Sequence, residues 1–549
     1  MRQIPLLSYL LGVLAFTSIL EVHAESPYRY YDWNVTYGTI SPLGVPQRGI
    51  LINGQFPGPT IDCDTNDNIL VTIYNNLDEP FLITWNGVWQ RKMSWQDGVV
   101  GTNCPIPPNT NWTYKMQSKD QIGTYMYFPS TEMHRADGGF GGFNIHRRPV
   151  IALPYPEPDD EFTVLVGDWY NLKPQYIHGA AWMLRHKLDY GYGMPMPDGL
   201  LINGKPNNTI FTGEAGKRYL LRVSNVGIKT SINIRIQGHT MILVEVEGSH
   251  VLQETYESLD IHPGQSLAFL VTLDNTVKDY YIIASTRFTR KTLSATAILH
   301  YNGSNTSPDN HLPVGPTYQV HWSMKQARTI RWNLTANAAR PNPQGSYRYG
   351  GINITKTIIM GNSAEKMQEK YGIQKMYYGV NNISYINPNT PLKLADYYNI
   401  SGVFNFNTSR NQPTPGPMVH GTVVYDITAH DYAEIIFQNN EATTQSWHLD
   451  GHNFFVVAFG ANEWSPDMRR KYNMVDAVWR STVQVYRNSW TAVLVSLDNK
   501  GMWNLRSAIW HRQYLGQQVY LRVWNDEISL RTENDIPPNA LKCGKAVNY

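Results

Sequence analysis

The sequence predicts an all-β protein built as three consecutive β-sandwich or barrel domains, on three observations. At 549 residues the chain exceeds what one core sustains, and about three domains is the expectation for that length. Short runs rich in Val, Ile, Tyr and Thr recur between Gly, Pro and Asn clusters, the pattern of strands separated by turns. A weak repeat is also present: Gly49-Ile50-Leu51-Ile52-Asn53-Gly54 is echoed by Gly199-Leu200-Leu201-Ile202-Asn203-Gly204, and Ile69-Leu70-Val71-Thr72-Ile73-Tyr74-Asn75 by residues 219–225 and 433–439. Apolar strands ending on Asn suit a turn at the strand's exit.

In chain order, Arg2, the apolar run 4–20 and the small-residue site Val22-His23-Ala24 predict a secretory signal peptide over 1–24, leaving Glu25 as the first mature residue. The first domain is expected over 25–150, closing in the proline-rich stretch 149–158. The second is expected over 158–310 and the third over 318–549, separated by a Gly, Ser, Asn and Pro cluster. No later run approaches the ~20 apolar residues of a membrane span, and the tail 541–549 is short and polar, so neither a membrane anchor nor a lipid anchor is expected. Charged residues are 16% and the net charge is +2 with no basic block, which excludes nucleic acid and anionic membrane surfaces as natural partners.

A secreted, extracellular glycoprotein fits the sequons at Asn34, Asn111, Asn207, Asn302, Asn305, Asn333, Asn353, Asn382, Asn399 and Asn407, which are densest between 302 and 407. Three cysteines leave at least one unpaired. Cys104 and Cys543 are the expected disulfide, tying the first domain to the tail, and Cys63, on a strand face with Ile61, is expected to be a buried, inert thiol.

Four segments resemble the copper-binding motifs of multicopper oxidases, above all the plant ascorbate oxidases, and the resemblance extends over essentially the whole mature chain. It implies three cupredoxin-like Greek-key domains. In that family one blue copper and a three-copper cluster are held by ten histidines and one cysteine. Where the family reads His-Trp-His-Gly, this chain has Thr84-Trp85-Asn86-Gly87, with Trp95-Gln96-Asp97-Gly98 following on schedule. Where the family ends Tyr-His-x-His, the chain has Tyr127-Phe128-Pro129-Ser130. His-Pro-x-His-Leu-His-Gly-His becomes Gln445-Ser446-Trp447-His448-Leu449-Asp450-Gly451-His452. His-Cys-His becomes Arg506-Ser507-Ala508, with Arg512 at the second blue-copper histidine and Gln517 at the axial position.

Of the ligand positions, only His448 keeps a ligand. A blue copper needs a soft thiolate, which the hard, neutral hydroxyl of Ser507 cannot replace. Arg506 and Arg512 would stand as permanent cations beside a divalent ion. The expectation is therefore no cofactor, copper surviving only if histidines such as His511 and His452 converge on His448. The pattern Thr84-Trp85-Asn86-Gly87 with Gln445 and Ser507 resembles the monocopper-oxidase-like and pollen ascorbate-oxidase-homologue branch. That resemblance implies an apoplastic, non-redox protein connected with the cell wall, cell expansion and pollen-tube growth, with a wall component or extracellular protein as partner. The alternative is an oxidoreductase with one rebuilt copper site at His448. Glu132 and His134 form an acid/base-like pair but read as a polar loop, and Gly138-Gly139-Phe140-Gly141-Gly142 lacks the Lys-Ser/Thr of a phosphate cradle. No catalytic residue is nominated.

Overall fold

The computed structural model describes residues 26–173, 176, 178–334, 348–369, 372–527 and 532–549; the expected leader lies outside them. Among the described residues the strands form six sheets, grouped in chain order as three pairs. In the first pair, Tyr28–Ile40 lies between Gln47–Ile52 and Asn68–Asn75, with Thr110–Gln117 outermost, and Ile61–Asp64, Gly141–His146, Gly123–Pro129 and Ile83–Asn86 make the opposing sheet. Val35, Ile50, Ile69 and Val71 of one sheet and Ile83, Trp85, Tyr127 and Phe143 of the other share a single core. The middle unit pairs a seven-stranded with a five-stranded sheet, and the third an eight-stranded with a five-stranded sheet. Alternate residues of their strands meet in cores of the same kind, as expected of packed sandwiches.

The sequence repeat is a structural repeat. In each unit the strand ending in Asn runs parallel to the unit's first strand: Asn68–Asn75 beside Tyr28–Ile40, Arg218–Asn225 beside Asp160–Trp169, and Tyr432–Asn439 beside Lys356–Gln368. The terminal Asn does the same work each time. The Oδ1 of Asn75, Asn225 and Asn439 accepts from the backbone N–H two residues on (Leu77, Gly227, Glu441). The Nδ2 donates to backbone carbonyls across the turn: Ile106 for Asn75, Thr230 and Ile261 for Asn225, Thr443 and Tyr486 for Asn439. Such a buried amide replaces the ladder where the strand ends, so no backbone group is orphaned.

The Ile-Asn-Gly echo also has a third copy that the sequence hid. Asn53 and Asn203 take left-handed φ values of 51° and 47°, and each brackets the first strand through both amide atoms. Asn381, at φ 52°, does the same with Gly361 N and Ile359 O. The next residue is Asn382 instead of Gly, at φ 60°, and Asn tolerates that region well enough for the turn to survive. The Asn382 side chain then donates to Thr414 O at 2.8 Å and Gly416 O at 3.1 Å. That sequon is thus held inside a turn, whereas Asn34, Asn111, Asn207, Asn302, Asn305, Asn353, Asn399 and Asn407 are exposed and Asn333 is half-buried.

The units are locked together by charge and by covalent bonding. Glu247 of the middle unit, at φ 46°, accepts from Arg480 Nη2 (2.6 Å), Ser481 N (2.8 Å) and Thr482 N (2.9 Å) of the third. Asp137 of the first unit accepts from Ala181 N at 2.7 Å, capping helix Ala180–Asp189 from outside. Gly179 precedes that helix at φ 97°, and a Cβ there would meet the Asp137 carboxylate at 2.5 Å. Cys104 and Cys543 are joined, and the tail crosses the first unit, with Trp95 Nε1 donating to Asn534 O (3.1 Å) and Trp112 Nε1 to Asn539 O (3.2 Å). Cys63 is buried beside Asn144 O, as expected, and burial pushes its thiol up to about 12.

Candidate functional site

The motif segments converge where the first and third units meet. His448, on strand Gln445–Leu449, is fully buried and both ring nitrogens are engaged. Its Nδ1 lies 2.7 Å from Thr482 Oγ1 and its Nε2 3.0 Å from Asp450 Oδ1. Burial, with Arg506 adding to it, lowers the His448 pKa, so the ring is neutral. Nε2 faces the Asp450 carboxylate, and Nδ1 faces the Thr482 hydroxyl, which also lies within donating distance of Gly264 O at 3.1 Å. Both ring nitrogens are thus taken up by protein partners.

Asp450, where the family has histidine, holds Arg506 through its other oxygen, and strand pairing sets His448 directly opposite Arg506. Burial alone would raise the Asp450 carboxyl, but Arg506 and His448 hold it below its ordinary value. Asp97, of the Trp95-Gln96-Asp97-Gly98 segment, packs against it, and burial followed by the Asp450 charge pushes the Asp97 carboxyl well above the carboxylate range. Asp97, Asp450, His448 and Arg506 thus form one buried cluster in which the guanidinium offsets the charge of the Asp450 carboxylate.

The remaining positions of the three-copper motifs are filled as well. Asn86 Nδ2 donates to Gly264 O at 3.0 Å, and the Ser130 hydroxyl to Gly98 O. Phe128 carries the Arg135 guanidinium 3.7 Å above its ring and meets Trp510 edge-on at 5.4 Å. Burial lowers the Arg135 pKa to about 9, and the aromatic face offsets part of its lost hydration. At the blue-copper positions, Gln517 Nε2 donates to Gln445 Oε1 at 3.2 Å. Arg512 grips Glu441 with two bonds of 2.9 and 2.6 Å, which overcome burial and keep Glu441 below its ordinary pKa. The Ser507 hydroxyl is fully buried and has no hydrogen-bond partner among the described residues.

This donor set does not fit copper: the cations sit where the ions would, and the carboxylates beside them are consumed by those cations. His452 and His511 do not converge on His448. His452 Nε2 accepts from Asn499 N and its ring meets Trp503, while His511 packs against Tyr378 on another cavity. Among the described residues, the group with metal-like spacing is Asp62, His146 and Glu161, and there Arg222 Nε already takes Glu161 Oε2 at 2.9 Å.

Two cavities flank the filled centre. One of about 500 Å³ is lined by Ser130, Trp510 and Tyr520 and by a cluster in which Glu132 stands exposed in a turn, as the polar-loop reading has it, while His134 departs from that reading. His134 opens the short helix His134–Asp137 and is buried. It lies 3.4 Å from Glu79, and Arg185 bridges Glu79 and Glu132. The His134 bond and the two arginines Arg185 and Arg48 hold Glu79 down to about 2. Glu79 and Arg185 carried no sequence signal, because they come from a turn and a helix that only the fold brings together. The other cavity, of about 440 Å³, opens beside Arg512 and His511.

Comparison with known proteins places these features. Residues 34–150, 160–304 and 389–529 match three multicopper oxidase families. The chain is 49% identical to an L-ascorbate oxidase homolog of Brassica napus over all of this chain and 98% of the relative. It is 46% identical to Monocopper oxidase-like protein SKU5 of Arabidopsis thaliana over 97% of this chain and 92% of that one. The crystal structure of Fet3p, a multicopper oxidase that functions in iron import, superposes with a TM-score of 0.75 over 90% of each chain at 20% identity, a likeness of fold.

Proposed function

The chain belongs to the multicopper oxidase family, and from that membership we propose a non-redox member that retains the three-domain scaffold as a secreted binding protein. The observation that supports this reading is the Asp450 carboxylate, held by His448 on one side and Arg506 on the other at positions where the family places histidines. A scaffold that had merely lost ligands would leave polar voids. Here the substitutions at Asp450 and Arg506 and the Arg512–Glu441 pair complement one another in charge, although the Ser507 hydroxyl stays unpartnered among the described residues. Such a centre has no soft ligand to set a redox potential, and both ring nitrogens of His448 are engaged.

The leader expected over 1–24 and the exposed sequons support an extracellular, N-glycosylated protein. No helix among the described residues is long and apolar enough to cross a membrane. The proposed setting is the cell wall, with a role in cell expansion, including pollen-tube growth, and a wall component or extracellular protein as partner. A row of rings four residues apart supports contact with sugars: exposed His178 and Tyr190 flank half-buried Trp182 and His186, with centroids 5.1, 4.9 and 4.4 Å apart along the row.

Metal content of the secreted, glycosylated protein, measured by mass spectrometry after copper loading and dialysis, tests the reading. Copper far below one per chain is expected. One tightly held copper, lost in His448→Ala, would overturn it in favour of a rebuilt oxidase site.

A further inference from the structure

The 440 Å³ cavity between the middle and third units has a one-sided charge that the filled metal centre does not require. The cations Lys229, Arg287, Arg487 and Arg512 line it together with His511, whose basicity is pushed well down by burial and by the Arg512 and Lys229 charges, and among the described residues no Asp or Glu does. Two of these cations are spoken for: Arg287 by Asp260 at 3.0 Å, and Arg512 by Glu441. Lys229 and Arg487 have no carboxylate within ion-pair distance among the described residues. The Lys229 ammonium reaches only the carbonyls of Met194 and Pro195, both at 3.4 Å. The acid behind it, Asp168, is bonded by the N–H groups of Ile228 and Lys229 and by the Thr230 hydroxyl, and its charge favours the ammonium from outside the cavity lining. Lys229 is close enough to Arg512 for the two charges to disfavour each other. Arg487 stands exposed at the mouth, and the buried His511 Nδ1 has no hydrogen-bond partner. Phe288 and Tyr378 supply ring faces in the same wall.

Like charges turned into one pocket are stabilised when an anion enters. The volume is that of a small-molecule site, room for one or two rings. We propose that this cavity binds a ring-borne carboxylate, with Lys229 and Arg487 as its cationic contacts and the aromatic wall against its ring. The inference deepens the reading of the protein as a binding scaffold and rests on it.

Calorimetric titration of the secreted protein with digalacturonate, with ferulate and with neutral cellobiose tests it. At least one carboxylate binds, more weakly as salt is raised, and cellobiose does not. Digalacturonate alone assigns an acidic sugar, ferulate alone an aromatic acid, and both assign the carboxylate itself. Arg487→Gln, at an exposed position that leaves folding intact, and Lys229→Gln each weaken binding roughly fivefold or more. Binding of neither carboxylate, or unchanged binding in both variants, would overturn the proposal. Copper measured on the same sample bears only on the metal-free reading, so the two fail separately.

Discussion

Arg506 carries a fixed charge into a fully buried site, and Asp450 is what makes that tolerable. Removing one partner of a buried pair costs more than the pair contributes, because the other charge stays uncompensated. Arg506→Met is therefore expected to lower unfolding free energy by about 3–5 kcal/mol in urea titrations. Adding Asp450→Asn should recover part of that loss, a coupling the double-mutant cycle reads directly. A second buried group gives the fold an acid limit. Burial, then Arg287 and Arg480, push the His262 imidazole down to about 3, so the folded state keeps it neutral while the unfolded chain protonates near 6.5. Its contribution is present above the unfolded value and is lost as pH falls from about 6.5 toward 3, by about 1.4 kcal/mol per pH unit. His262→Gln should flatten the acid limb of stability by that slope, measured as unfolding midpoints between pH 7 and pH 4. Most of the residue-scale chemistry was legible in sequence as loss: Ser507, Phe128 and Arg512 announce missing ligands. What replaced the ligands was not legible, because Thr482 meets His448 through sheet pairing and Glu441 reaches Arg512 from the turn between Tyr432–Asn439 and Gln445–Leu449.

At the scale of elements, the three Asn-terminated strands show why a weak repeat can be a strong structural signal. Each needs an amide with both an acceptor and a donor at the strand's exit, and Asn supplies both at the right reach. Asn225→Ala would strand Gly227 N, Thr230 O and Ile261 O in a buried turn, and is expected to cost about 3 kcal/mol. Hydrogen exchange should show the loss first at residues 225–230. The related Ile-Asn-Gly turn was visible in sequence twice and missed the third time. Its physical requirement is a left-handed pair of residues, which Asn381-Asn382 meets without the glycine that a pattern search looks for.

For the whole molecule, the bond between Cys104 and Cys543 closes a loop of 439 residues and holds the tail over the first unit. Replacing both cysteines by serine is expected to cost several kcal/mol, with ~6 kcal/mol as the ceiling of the chain-entropy account. Limited proteolysis should then release residues 532–549 before any other segment, and a lowered melting temperature should accompany it. A tail that stayed protected would show that the contacts of Trp95 and Trp112 with it suffice.

By itself the sequence determined the three-unit β architecture, the expected leader and sequons, and the absence of a thiolate and of most histidines from the metal positions. Those properties are local: strand periodicity, turn chemistry and ligand identity are carried by residues within a few positions of one another. Only the tertiary structure decided what fills the centre and what surrounds it. Asp97 against Asp450, Arg512 on Glu441, the Glu79–Arg185 cluster and the cationic cavity beside Lys229 join residues far apart in the chain. Charge balance in a low-dielectric interior depends on distance in space, and sequence spacing does not record it.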